Sequence, residues 1–129
     1  MFIQIDFESE EALYVQLRNQ IIYGIALGHF HEGDALPSVR QLAEMIGINM
    51  HTVNKAYAAL RSEGLLRLDR RRGAVIAIDM DKVEAITQTK EALSLILARA
   101  YCKGITREET HRMIDDLYDS YAEGTIPFR

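Results

Sequence analysis

Apolar positions recur at helical spacing twice between Leu36 and Gly64, then switch to strand-like spacing as far as Ile78. Val39, Leu42, Ala43 and Ile46 line one face, as expected of a helix packed on a core. Pro37 fixes its own φ and biases Leu36 away from helix. Ser38 is then the natural N-cap, Gln41 completes a capping-box pattern, and Gly47 marks the end. After the short turn Gly47-Ile48-Asn49, with Asn49 as cap, a second helix is predicted from about Met50 to Glu63, stopped by Gly64. Its inward stripe is Val53, Ala56, Tyr57 and Leu60, at i, i+3, i+4 and i+7. Leu65, Leu66 and Leu68 then begin a strand, and Ala74 to Ile78 return, around a tip Asp69-Arg70-Arg71-Arg72-Gly73. Two helices on a tight turn followed by a hairpin is the layout of a winged helix-turn-helix.

Beyond Ile78 the pattern changes. A short acidic link, Asp79 to Lys82, leads into one long helix predicted from Val83 to about Lys103 and stopped by Gly104. Val83, Ile86, Leu93, Ile96, Leu97, Ala100 and Tyr101 form a broad apolar stripe, widened by Ala92 and Leu95. Thr106 with Glu109 is a second capping box, opening a last helix to about Glu123 that carries Met113, Ile114, Leu117, Tyr118 and Tyr121. Two helices cannot bury so broad an apolar surface alone. They must fold back on the preceding domain or pair with a second copy, and pairing is the favoured expectation. The chain is thus expected to be mainly α with a small β-wing. Residues 1–78 would form the winged helix-turn-helix and residues 79–129 a short two-helix dimerisation hairpin.

Charge sharpens this picture. The net charge of the 129 residues is −4, but its distribution is uneven. Residues 36–78 hold seven basic and three acidic side chains, whereas the segments on either side are both net acidic. With a Debye length of about 8 Å in physiological salt, local sign outweighs the chain total. The basic segment therefore suits a polyanion.

Within it, His51, Thr52, Asn54 and Lys55 cluster in the first turns of the second helix, away from the apolar stripe. Small polar side chains at a helix N-terminus suit a nucleic-acid groove, since they reach base edges while the helix end favours phosphate. The alternative is a solvated helix face. Arg70, Arg71 and Arg72 repel one another at a hairpin tip, which suits a phosphate clamp or minor-groove probe better than a plain solvated turn.

The segment from about residue 10 to residue 78 resembles the DNA-binding domain of GntR-family bacterial transcription regulators. The resemblance rests on Leu36-Pro37-Ser38 with Arg40, Leu42-Ala43, Gly47, Thr52-Val53, Ala56-Tyr57, Glu63-Gly64 and Gly73. Tyr14 and Gln16-Leu17 in a first helix, and Gly28, Gly33 and Asp34 in the connector, also agree. The short tail after the wing is similar to that of the small YtrA-like subfamily, whose members often regulate transporter genes. The resemblance implies a sequence-specific regulator, repressing from an inverted-repeat operator as a homodimer. Arg40 stands where family members reach a guanine or phosphate, and Asn49, Met50, His51, Thr52 and Asn54 occupy contact positions. Ser38, Lys55, Arg70, Arg71, Arg72 and Gly73 complete the expected DNA-binding set. One departure is Arg71, which replaces a first wing glycine; a different turn and a side-chain contact are expected there.

Other readings are weaker. His29 and His31 lack the i, i+4 spacing of helical metal ligands and a completing Cys or His, so surface histidines and no metal are expected. Cys102 near His111 reads as a half-buried small hydrophobe rather than a thiol–imidazole pair. No P-loop, dinucleotide-binding glycine motif or nucleophile elbow occurs, so neither enzyme nor cofactor is expected. No apolar run nears the roughly 20 residues that span a bilayer. The acidic start lacks the basic region of a signal peptide, and a lone cysteine suits a cytoplasmic setting. Two rivals remain: a winged-helix protein-interaction module, and a multidrug sensor with Tyr101, Tyr118 and Tyr121 stacking on a ligand at the dimer seam. Any small-molecule effector would sit between subunits.

Overall fold

A computed structural model of the chain describes residues 3–126. Its elements are α1 (Leu13–Ala26), α2 (Val39–Ile46), α3 (Met50–Ser62), β1 (Leu66–Asp69), β2 (Gly73–Ile76), α4 (Lys82–Cys102) and α5 (Arg107–Glu123). The chain divides into two compact units after Asp79.

In the first unit one core joins every element. Leu17 and Ile21 of α1 meet Leu42 of α2, Val53, Ala56 and Leu60 of α3, and Leu66 and Ile76 of the hairpin. The capping box on α2 forms as the sequence predicts: Ser38 Oγ accepts from the Gln41 N–H at 3.1 Å and Gln41 Oε1 from the Ser38 N–H at 3.0 Å. Asn49 caps α3 by accepting from the His51 N–H at 2.7 Å. Helix α1 has no side-chain cap. Its buried Gln16 serves a different purpose, tying the preceding segment down by accepting from the Asp6 N–H and donating to the Asp6 and Glu11 carbonyls.

The hairpin pairs antiparallel in the register Leu66↔Ile76 to Asp69↔Gly73. β1 starts one residue later than the sequence predicts, after Leu65, and β2 ends before Ala77, short of the predicted Ile78. The two chains still run together beyond the ladder, with Ala77 N–H to Leu65 O at 3.1 Å and Asp79 N–H to Gly64 O at 2.7 Å. On its other side β2 gains a partner that the periodicity did not announce. Ala35 bridges Val75, and hydrogen bonds link Gly33 N–H to Ile76 O, Ile76 N–H to Asp34 O and Leu36 N–H to Ala74 O. The connector after α1 thus serves as a short third strand.

The second unit is two capped helices. Asp81 accepts from the Glu84 N–H to start α4, and Thr106 and Glu109 form the predicted box at α5. No residue on α4 or α5 is buried. The stripe expected from the sequence is present but open: Val83, Ile86, Ile96 and Tyr101 are exposed, and Leu93, Leu97, Ile114 and Leu117 are more than a third exposed. Tyr118 and Tyr121 meet edge to face, with ring centroids 6.3 Å apart.

Candidate nucleic-acid interface

Helix α3 turns Val53, Ala56, Tyr57 and Leu60 into the core, which leaves the opposite side for a partner. His51, Asn54 and Lys55 lie exposed there, Met50 is 46% exposed and Thr52 is half-buried. Arg40 is exposed on the first turn of α2. Tyr57 sets the two helices against each other, since its hydroxyl donates to Pro37 O at 2.7 Å, immediately before the start of α2. Burial of that phenol pushes its pKa well above the ordinary value.

The expected contact set is not uniform in what its side chains are already doing. The oxygens of Ser38 and Asn49 are engaged as helix caps, so they position α2 and α3. Lys55 Nζ sits 4.3 Å from the Tyr14 ring centroid. An exposed cation–π contact is worth only about 0.5–1 kcal/mol, too little to prevent the ammonium from meeting a phosphate.

At the wing tip a side-chain cap shapes the turn around Arg71. The Asp69 carboxylate accepts from the backbone N–H of Arg71 at 2.8 Å and of Arg72 at 3.1 Å. These bonds hold its carboxyl below the usual carboxylate range, with a smaller contribution from Arg67, whose Nη1 lies 3.3 Å away. Within the tip only Gly73 adopts a positive φ, at 77°, and among the described residues no non-glycine does. Asp69 therefore closes the turn at the tip, and Arg71 sits there without the positive φ that would strain it. The three arginines diverge in role. Arg72 donates from its guanidinium to Gly33 O in the connector strand. Arg70 and Arg71 are exposed, without an acidic partner within ion-pair distance among the described residues.

Residues missed in the sequence include Arg61, which follows Asn54 by seven positions and so shares its face of α3. The Tyr57–Pro37 bond, the connector strand and the Gln16 clasp were also missed, and none of these has a local spacing signal. Cys102 corrects an expectation: it is free and exposed rather than half-buried. His31 Nδ1 lies 3.5 Å from Asp34 Oδ2, and among the described residues no group of three or more His, Cys, Asp or Glu could hold a metal. No described helix is long and apolar enough to cross a membrane.

A helix-turn-helix with its polar helix end exposed, beside a basic wing, defines a winged helix-turn-helix DNA-binding protein. Residues 11–76 match the family of bacterial regulatory proteins named gntR, and the chain belongs to that family. It is 36% identical over 118 residues to the HTH-type transcriptional repressor YtrA of Bacillus subtilis (strain 168), covering 89% of this chain and 91% of that protein. It is thus similar in length as well as sequence to a YtrA-type regulator. A transcriptional antiterminator from Listeria monocytogenes EGD-e superposes with a TM-score of 0.82 at 26% identity, over 98% of this chain and 96% of that one. The N-terminal domain of AraR, solved in complex with mutant ORR3, aligns with a TM-score of 0.50 and 28% identity, covering 54% of this chain and all of that domain. The protein is a GntR-family transcription regulator that binds DNA, and its relatives are regulators rather than enzymes.

Proposed function

We propose that this regulator is a repressor that binds an inverted-repeat operator as a homodimer, one half-site per subunit, and controls a transporter operon. Residues 1–78 would read the operator and residues 79–129 would pair the subunits, in the cytoplasm. The observation that carries the reading is the division of labour along the chain. The first unit leaves a basic, polar helix end and wing open, while the second leaves an apolar stripe open on both of its helices. An apolar face of that extent favours burial against a second copy, and a two-fold protein dimer matches a palindromic site. The length and name of the YtrA relative support repression.

Arg40, His51 and Asn54 are the proposed base readers, with Met50 and Thr52 flanking them and Lys55, Arg70 and Arg71 on the backbone. Ser38, Asn49, Arg72 and Gly73 hold these in place. Any effector would occupy the seam, where Tyr101 and Tyr118 are exposed. The test is a gel shift with duplex from around the protein's own gene, combined with sedimentation of the free protein and of the complex. Two protomers per duplex, with affinity lost when one half-site is scrambled, is the expected result. A monomer that binds a scrambled duplex equally well would overturn it.

A further inference from the structure

We infer that the groove between α3 and the wing is a phosphodiester-backbone site, and that Arg61 is its phosphate ligand. The inference rests on the DNA-reading role of the first unit. A cavity of about 260 Å³ opens there. Its polar walls are Ser38, Asn54 and Arg61, and Tyr57, Ala58 and Gly73 help line it. Four observations converge on one occupant.

First, the groove separates the two structures proposed to enter DNA. When a helix end occupies the major groove and a wing reaches the adjacent minor groove, the strand between those grooves must cross the gap between helix and wing. Second, the helical repeat puts Asn54, Ala58 and Arg61 on one face of α3, at i, i+4 and i+7. Ala58 is exposed and small, so this face offers a shallow seat between two longer polar side chains. Third, the wing side is backbone and apolar surface: Gly73 presents no side chain, and Leu68 is 62% exposed beside it. A sugar–phosphate chain fits those walls, with its sugars against Leu68 and its anionic oxygens towards Arg61. Fourth, the guanidinium of Arg61 has no ion-pair or hydrogen-bond partner among the described residues, whereas Arg67 and Arg72 have theirs.

The competing role for Arg61 is a cation in the last turn of α3, where it would favour the helix dipole without touching a ligand. The two roles separate in the salt dependence of binding. The probe is the duplex that the wild-type full-length protein recovers from a random-sequence pool. Arg61→Ala and Arg61→Gln should each reduce the slope of log affinity against log salt by about 0.9, the value for one phosphate contact. The loss of affinity between about 50 and 200 mM salt would then shrink roughly 3.5-fold. Arg61→Lys should keep the slope. Neutral methylphosphonates, placed singly along each strand, should include one that weakens the wild type but leaves Arg61→Ala unchanged.

An unchanged slope in Arg61→Ala, with or without a drop in thermal midpoint, would overturn this inference alone. So would a loss from every methylphosphonate that is equal in both proteins. Failure of the wild type to recover any duplex would overturn the DNA-reading assignment along with it.

Discussion

Replacing Tyr57 by Phe tests how the two helices of the reading head are held together. The substitution removes one oxygen, from a residue that is only 5% exposed, and with it a 2.7 Å hydrogen bond to Pro37 O. An intramolecular hydrogen bond contributes about 0.5–1.5 kcal/mol net, and the half-exposed Pro37 carbonyl regains part of its loss from water. Tyr57→Phe should therefore destabilise the chain by about 0.5–1.5 kcal/mol at pH 7.

The sign reverses in alkali. Burial raises the Tyr57 pKa above its ordinary value of 10.0, so in the folded chain the hydroxyl stays protonated while in the unfolded chain it ionises. A group with a raised folded pKa contributes fully below the unfolded pKa and loses that contribution as pH climbs towards the folded one. Above pH 10 each further unit should cost the wild type about 1.4 kcal/mol through Tyr57, a cost the Phe variant does not bear. The stability curves should cross between about pH 10.1 and pH 11.1. Urea unfolding of both full-length proteins, followed by circular dichroism at several pH values, measures the difference with other titrating groups cancelled. A difference that stays constant from pH 7 to 11 would refute the reasoning, because it would mean the phenol titrates alike in both states.

Other perturbations test separate parts. Gly24→Ala should destabilise by about 1–3 kcal/mol despite the better helix propensity of alanine. The added Cβ would lie 2.4 Å from the Phe30 ring, so a stabilised variant in thermal unfolding would show that the ring yields freely. Arg70→Ala and Arg71→Ala should each lower the salt slope of operator binding by about 0.9, measured by fluorescence anisotropy. Arg72→Ala should weaken binding with a smaller change of slope, since its guanidinium is occupied by Gly33 O. Leu97→Asp should convert the proposed dimer to a monomer in sedimentation and lower operator affinity, because a carboxylate buried at the seam would cost several kcal/mol. An undiminished dimer would place the interface elsewhere.

The legible parts of the fold were those encoded within a few residues. Ser38 with Gln41, Asn49, and Thr106 with Glu109 each state a helix start in a four-residue window, and each forms the bond its spacing implies. The core stripe of α3 was equally plain, because one periodic run fixes which side faces inward. Illegible were pairings between distant residues. Nothing local to Ala35 says that it will bridge Val75, and nothing near Arg72 names Gly33, which lies 39 residues earlier. The candidate site shows the same divide. Charge and position gathered its residues and the spacing marked Ser38 and Asn49 as caps, but how far each remaining side chain stays open, as His51 and Asn54 do, depends on packing between elements. Arg61 escaped because its significance depends on the wing, a separate element, standing opposite it.

The second unit carries the same reasoning one step further. Helices of 21 and 17 residues with good caps can begin from local signals alone, yet local propensity supplies little of the stability of a helix in a protein. Most helical stability in proteins comes from burying an amphipathic face, and neither α4 nor α5 buries any residue within one chain. If a second copy supplies the missing burial, ordering of these helices and association of the subunits become one equilibrium. The operator then acts as a third participant. In that proposed dimer it would hold two reading heads at a fixed spacing, raise the local concentration of the two tails, and so stabilise the seam from the other end. Seam and half-site would thus be coupled by mass action alone, without any change of shape in the reading head. A ligand lodged between the tails would be felt at the DNA through the fraction of protein that is paired.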